Sequence, residues 1–325
     1  MHIRRTHVLA LAAIFCFSLS AFAQDKPTFA ERLGWPTGSK VVIFHCDDAG
    51  MSHSSNMGAI EAIEKGVVTS ASTMMPCAWV PEWAKYLKEH PEVDNGLHLT
   101  LTSEWENYRW IPVAGAAQVP SLADEQGCLP DNVSLVAKRA TPDDIEKEIR
   151  AQIDRAEKMG LPITHLDTHM GTVYARPDYL ERYIKVGIEK HIPVMIMGGH
   201  MTHTKISEGE AVAALAAMGV AEKAWEGGLA VLDDLLTYTY DKRTLDEKKT
   251  LVLDVLRTLK PGVTQIIVHC TRPTEEFEYI TTSGPTRLND LLVCIDPEVK
   301  KVIEEEGIIL STWRELQQRR DKVGK

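Results

Sequence analysis

The sequence predicts an α/β protein, a single-domain distorted (β/α) barrel with about seven parallel strands. Between residues 41 and 311, short apolar segments alternate with longer helical patterns, and no linker interrupts them near the midpoint. The first apolar segment, residues 41–44, has no polar residue, which is typical of a strand covered on both faces. With this many strand–helix units, a barrel of eight strands or fewer is favoured over an open sheet.

In the amino-terminal half, glycines, prolines and capping residues delimit the elements. Pro27, Pro36 and Gly38 interrupt residues 24–39, so this stretch is expected to form an arm without regular structure. Gly66 ends the first predicted helix, and Thr141, followed by a proline and two acids, begins another. In this half we predict strands at 41–44, 67–75, 96–101 and 163–167, helices at 57–65, 81–90 and 141–159, and a long loop at 102–140.

In the carboxy-terminal half, the pattern is more helical. Residues 206–260 are predicted to be mostly helical, with a strand or turn at 227–232. The remaining predictions are strands at 193–197, 265–269 and 308–311, and helices at 179–190 and 288–306.

Residues 1–23 have the pattern of a secretory signal peptide. Arg4 and Arg5 precede an apolar run that ends in the small-residue cleavage pattern of residues 21–23. The run is short for a membrane anchor, and Cys16 lacks the small residues of a lipoprotein site. The sequence therefore predicts a domain at residues 24–325 that is exported to the periplasm or secreted, soluble and without a membrane anchor.

Charge and cysteine content narrow the function classes. The formal net charge of −10 argues against nucleic-acid binding, which needs clustered Lys and Arg to neutralise phosphates. After the predicted signal peptide the cysteines are odd in number, form no C-x-x-C pair and are expected to be buried thiols: Cys46, Cys77, Cys128, Cys270 and Cys294.

Two adjacent acids, Asp47 and Asp48, follow the first predicted strand. Buried together, they would raise each other's pKa, and desolvation would add to the cost. A cation, or a proton shared between them, would relieve that cost. The alternative is that Asp48 simply caps the helix that follows.

Other residues suited to metal binding or acid–base catalysis follow further strands: His98, His165, Asp167, His169, His200 and His269. The carboxyl ends of parallel barrel strands meet at one end, so these side chains are expected to lie together. A single histidine there is more often a hydrogen-bonded core residue, but several favour a site. One carboxylate with two imidazoles holds a metal and leaves positions for water and substrate, and a second carboxylate can then act as base. This combination suits hydrolysis of an amide or ester.

Four segments resemble a known family in the same order along the chain. They are HCDDAGMS at 45–52, GVVTS at 66–70, GLHLTL at 96–101 and THLDTH at 164–169, with Asn56 between the first two. The pattern resembles that of the YdjC-like (ChbG/HpnK) carbohydrate deacetylase family, a distant relative of polysaccharide deacetylases. The resemblance is clear from residue 41 to residue 169 and looser beyond.

The resemblance implies a distorted (β/α) barrel and one divalent metal ion, magnesium or zinc, that activates water against an N-acetylated sugar or oligosaccharide. By position, Asp48, His98 and His169 match the metal ligands of the family. Asp47 matches the catalytic base, and His269 lies where the family has a late histidine, the acid for the leaving amine.

The chain departs from the family pattern at two places. Residues 170–174 follow His169 where relatives continue with further histidines, which bears on substrate contacts. Residues 270–273, Cys-Thr-Arg-Pro, follow His269 where relatives have proline and glycine, which bears on the role of His269.

Weaker expectations concern residues near these segments. Asp167 is expected to orient a neighbouring histidine. Asp233 and Asp234 fall in a helical pattern and are expected on a solvated face. Two interpretations stay open for the loop aromatics Trp105, Tyr108 and Trp110, which could form a sugar-stacking surface or an ordinary loop core. Two also stay open for His200 and His203, which could line the pocket or lie on the surface.

The sequence therefore favours an exported metal-dependent hydrolase that removes acetyl groups from N-acetylated sugars or glycan fragments. Alternatives are a metal-dependent hydrolase of a different amide or ester, and a non-catalytic periplasmic glycan-binding protein. A structural metal site, with all its coordination positions filled by protein, is a further alternative.

Overall fold

The computed structural model describes residues 26–204 and 219–324. The predicted signal peptide, residues 1–23, lies outside the described residues, and so do residues 206–218 of the stretch predicted to be mostly helical. The described strands are β1 Lys40–Ala49, β2 Ser70–Thr73, β3 Asn95–Leu99, β4 Leu166–Thr168, β5 Asp234–Leu236, β6 Gly262–Val268 and β7 Ile309–Leu310. The described helices are α1 Phe29–Arg32, α2 His53–Lys65, α3 Val80–Glu89, α4 Val133–Arg139, α5 Pro142–Met159, α6 Pro177–Lys190, α7 Val220–Glu226, α8 Leu245–Thr258, α9 Phe277–Ile280, α10 Gly284–Cys294, α11 Pro297–Glu305 and α12 Trp313–Lys322.

The seven strands form one parallel sheet in the order β4-β3-β2-β1-β6-β5, with β7 added beside the first residues of β1. The strand predicted at 193–197 is present only as single bridges, which pair Val194 with Leu166 and Met197 with Leu232. These bridges lead from β4 towards β5, so the sheet curls around its interior and helices cover its outer face. The predicted single-domain, distorted (β/α) barrel is confirmed.

Alternation along β1 divides the core into two parts. Val42 and Phe44 pack in the large outer cluster between sheet and helices, whereas Val41 and Ile43 belong to a smaller cluster with Trp313. Because strand side chains alternate between faces, His45 and Asp47 follow Val41 and Ile43 on the interior face. The interior is therefore apolar at the start of β1 and polar at its carboxyl end, where a ligand site is expected.

The strand β5 corrects one prediction. Asp233 and Asp234 were expected on a solvated helical face, but both are fully buried, and β5 begins at Asp234. The carboxylate of Asp233 accepts hydrogen bonds from the main-chain N–H groups of Phe29, Ala30 and Val263, at 2.8–3.1 Å. These bonds compensate the buried carboxylate and attach the amino-terminal arm to the barrel. Across residues 26–204 and 219–324, no helix combines the length and the apolar character needed to cross a membrane.

Candidate active site

A left-handed residue at the end of β1 brings both adjacent acids to the barrel interior. The pairing of β1 with β2 shifts register between Cys46 and Ala49, and Asp48 has a φ of 66°. In a regular strand the side chain of Asp48 would point away from that of Asp47. Here Oδ1 of Asp48 lies 3.4 Å, and Oδ2 of Asp47 lies 3.7 Å, from Nε2 of His98.

Three of the predicted ligands converge. Oδ1 of Asp48 lies 3.4 Å from Nε2 of His98 and 3.5 Å from Nδ1 of His169, and these two nitrogens are 3.3 Å apart. Ligand atoms about 2.1 Å from a tetrahedral zinc ion stand about 3.4 Å from one another. Oδ1 of Asp48 is buried and has no hydrogen-bond partner among the described residues. These three residues therefore fit a divalent metal ion.

Two other groups of potential ligands lie close by: His45 with His165 and Asp167, and Asp47 with His98 and Asp167. In these groups Asp167 already makes hydrogen bonds, with its Oδ2 2.7 Å from Nε2 of His45 and its Oδ1 2.8 Å from Nδ1 of His98. Those distances are hydrogen-bond distances rather than separations between two ligands of one ion. The group of Asp48, His98 and His169 is the better candidate.

Asp167 orients His98, as the sequence predicted. Its bond to Nδ1 of His98 turns Nε2 of that ring towards Asp48. Burial opposes ionisation of Asp167, but His98 and His45 outweigh it and hold the pKa of Asp167 well below its usual range. Burial also disfavours a charged His45, yet Asp167 and Asp47 raise the pKa of His45 to about 10.

Glu104 is a functional candidate that the sequence analysis missed. It lies in the long loop after β3, and its two carboxylate oxygens are 2.9 and 3.1 Å from Nε2 of His169. This contact leaves Nδ1 of His169 to face Asp48. Burial disfavours the imidazolium, but Glu104 and Asp48 raise the pKa of His169 to about 9. The sole signal in the sequence was an acid shortly after the strand that carries His98.

Arg287 on α10 is the second residue that was missed. Its Nη1 donates to Oδ2 of Asp48 at 2.6 Å, and its side chain is almost fully buried. Burial opposes ionisation of Asp48, but Arg287 and the two histidines hold the pKa of Asp48 well below its usual range. Because 239 residues separate the two partners, no spacing rule relates them.

Asp47 and His269 face each other beside the three candidate ligands. Oδ2 of Asp47 lies 3.8 Å from Nε2 of His269, and Oδ1 of Asp47 lies 3.2 Å from Nε2 of His45. The main-chain N–H of His269 donates to Asp290 at 2.9 Å, and its ring packs edge-on against Tyr240. Burial lowers the pKa of His269, which favours the neutral form of the ring.

The model of the family described as YdjC-like protein matches residues 41–305. The chain belongs to the YdjC-like family. A carbohydrate deacetylase of Thermus thermophilus is 33% identical over 297 residues, which cover 89% of this chain and 97% of the relative. A chitooligosaccharide deacetylase of Yersinia enterocolitica is 26% identical and covers 84% of this chain and 98% of the relative.

A solved structure of a proposed cellobiose-phosphate cleavage protein from Enterococcus faecalis V583 shares the fold. The TM-score is 0.72 at 24% identity, and the match covers 86% of this chain and 99% of the solved one. The match therefore extends over most of the chain rather than over one motif.

Other predicted residues of this YdjC-like barrel lie outside the candidate ligand set. His165 is buried and stacks on Trp313 at 5.1 Å, so it is a core residue. The rings of His200 and His203 lie 3.5 and 2.8 Å from a carboxylate oxygen of Asp234. Among the loop aromatics, the buried Trp110 packs against the half-buried Trp105 and Tyr108, with ring centroids 5.5 and 5.6 Å apart. All five described cysteines are buried free thiols, as predicted.

Proposed function

We propose that this protein is an exported, metal-dependent deacetylase of N-acetylated sugars or glycan fragments. The observation that carries the proposal is the arrangement of Asp48, His98 and His169, whose ligand atoms stand 3.3–3.5 Å apart at the carboxyl end of the barrel. The naming of the Thermus and Yersinia relatives as carbohydrate and chitooligosaccharide deacetylases supports the substrate class.

The donor set favours zinc over magnesium. Two imidazole nitrogens and one carboxylate oxygen are typical zinc ligands, whereas magnesium prefers oxygen ligands and retained waters. Asp48, His98 and His169 would hold the ion, which would supply Lewis-acid activation of the attacking water and of the amide carbonyl. Three protein ligands leave coordination positions for water and substrate, unlike a closed structural site.

The residues of the chain perform the proton transfers. Asp47 lies beside the ligand set without belonging to it, so its carboxylate accepts the proton that the water loses. The water oxygen forms a bond with the carbonyl carbon of the acetamide, the C–N bond then breaks, acetate leaves, and the amine takes up a proton. His269 is the donor of that proton. Because burial favours the neutral ring, His269 first takes up the proton that Asp47 has accepted. Oδ2 of Asp47 and Nε2 of His269 are 3.8 Å apart, so this transfer requires the two groups to approach to hydrogen-bond distance.

Export is proposed on the sequence alone, from the basic residues, apolar run and cleavage pattern of residues 1–23. Expression of the full chain in a bacterium, followed by amino-terminal sequencing of the periplasmic protein, tests it. A mature chain that begins at Gln24 is the expected result, and full-length protein retained in the cytoplasm would contradict export.

The deciding experiment measures acetate released by the mature protein from a panel of N-acetylated sugars and oligosaccharides. The assay is run as purified, after chelation, and after zinc or magnesium is added back. Metal-dependent acetate release from any member supports the proposal. One bound metal without acetate release points to another amide or ester, and the absence of both points to a glycan-binding protein.

A further inference from the structure

The conformation of Asp48 requires a compensating interaction. A φ of 66° is uncommon for a residue other than glycine and strains the backbone, although Asp tolerates it better than most residues. Asp48 is also buried, and it lies next to a second carboxylate. Without a partner, both the backbone strain and the buried charge favour a different orientation of this side chain.

Arg287 supplies that interaction from a fixed position. Its Nη1 donates to Oδ2 of Asp48 at 2.6 Å, and its Nε donates to the hydroxyl oxygen of Ser283 at 2.9 Å. Its guanidinium carbon lies 5.8 Å from the ring centroid of Trp105 and 5.4 Å from that of Tyr240. A buried guanidinium held at several points has little freedom, so it can fix the carboxylate that it binds.

The two oxygens of Asp48 consequently have different environments. Oδ2 is occupied by Arg287, whereas Oδ1 has no hydrogen-bond partner among the described residues and faces the rings of His98 and His169. From this difference we infer that Arg287 is a positioning residue, which holds Asp48 in its left-handed conformation with a single oxygen directed at the metal. The inference rests on the proposed function, because it assigns the metal to Asp48, His98 and His169.

Positioning and charge make opposite predictions about metal affinity. A guanidinium close to the site repels a divalent cation, so electrostatics alone predicts tighter binding when Arg287 is replaced by a neutral residue. If Arg287 positions Asp48, the same replacement weakens binding, because the ligand carboxylate is free to turn away. The sign of the change in affinity therefore separates the two effects.

The test is the dissociation constant of Zn²⁺ for the apoprotein, measured by competition with a chromophoric chelator, together with the visible spectrum of the Co²⁺-substituted protein. We expect Arg287→Met to bind Zn²⁺ about 10–100-fold more weakly and to alter the Co²⁺ spectrum. Arg287→Lys keeps one charged donor, so it should restore part of the affinity. Arg320→Met removes another buried arginine, whose guanidinium donates to the carbonyl of Trp225, and should leave the Zn²⁺ affinity unchanged.

Unchanged or tighter Zn²⁺ binding by Arg287→Met, with an unaltered Co²⁺ spectrum, would overturn the inference. If Arg287→Met does not fold, Arg287→Lys and Ser283→Ala disturb the position of the guanidinium less severely. If neither of these two variants binds Zn²⁺ more weakly than the wild type, the inference is likewise overturned. Wild-type protein that takes up no metal would instead refute the proposed function, and the inference with it. The two failures are distinguishable because metal uptake is measured without substrate.

Discussion

Asp47 and Asp48 are neighbours in the sequence, yet carboxylate oxygens of both lie within 4 Å of the same nitrogen, Nε2 of His98. The left-handed φ of Asp48 makes this possible, because it cancels the alternation of side chains at the end of β1. The barrel thereby places the proposed metal ligand Asp48 and the proposed base Asp47 side by side. That proximity is what a hydrolase needs when one group holds the metal and the next accepts a proton.

Replacing a proposed ligand should abolish metal binding and turnover together. Asp48→Asn replaces the anionic carboxylate by a neutral amide, and His98→Ala removes an imidazole ligand. We therefore expect Zn²⁺ affinity to fall by more than about 100-fold, which is the loss that removal of an outer partner causes. The measurement is Zn²⁺ content and acetate release of the purified variants, with folding checked by circular dichroism. A variant that is folded and fully active would show that the ligand assignment is wrong.

Asp47→Asn should separate metal binding from catalysis. The amide keeps the size of the side chain but cannot accept the proton from water, so we expect kcat to fall by about 10²–10⁴-fold. Zn²⁺ affinity should remain near that of the wild type, because Asp47 is outside the proposed ligand set. Unchanged kcat would remove Asp47 as the base, and loss of zinc would place it among the ligands.

Glu104 should affect metal affinity through His169. Glu104→Ala removes the carboxylate that orients the ring, and we expect about 10–100-fold weaker Zn²⁺ binding. Glu104→Gln retains an oxygen acceptor, so its Zn²⁺ affinity should lie between that of the alanine variant and that of the wild type. Glu106→Ala, on the same loop, is the matched control and should bind zinc normally. Equal affinity of all the variants would contradict an orienting role.

Metal binding should release protons and strengthen as pH rises. Glu104 and Asp48 outweigh burial and raise the pKa of His169 to about 9, so at pH 7 the metal-free ring holds a proton that zinc must displace. Affinity is therefore expected to increase from pH 6 towards pH 9. Calorimetric titration in buffers of different ionisation enthalpy counts the released protons. Binding that is independent of pH, without proton release, would contradict a protonated His169.

The buried ion pair behind His269 should matter for stability. Nζ of Lys248 lies 2.6 Å from Oδ1 of Asp290, both side chains are fully buried, and Asp290 also accepts the main-chain N–H of His269. Lys248→Met leaves the carboxylate without its cation, and we expect the free energy of unfolding to fall by about 3–5 kcal/mol. Urea denaturation measures this effect.

A surface ion pair provides the control for that measurement. Lys185→Met removes an ammonium that is half exposed and pairs with Glu146 at 3.0 Å. The free energy of unfolding should therefore fall by about 1 kcal/mol or less. Equal losses for the two variants would show that the buried pair contributes no more than a surface pair.

The sequence by itself determined the barrel class, the positions of most strands along the chain and the candidate ligands. Asp48, His98 and His169 were predictable because each lies in a short motif at a strand end, and parallel strands bring their carboxyl ends together wherever the connecting helices run. The family resemblance assigned the individual roles. Export, too, is a prediction from local sequence, read from residues 1–23.

Only the tertiary structure revealed Glu104 and Arg287. Glu104 lies in a loop and is 65 residues from its partner, His169. Arg287 lies on a helix and is 239 residues from its partner, Asp48. The path of a loop and the rotation of a helix depend on packing against the whole molecule, so no local periodicity encodes them. For the same reason Asp233 was misassigned: a carboxylate that binds main-chain N–H groups of distant segments cannot be distinguished in sequence from one that faces water.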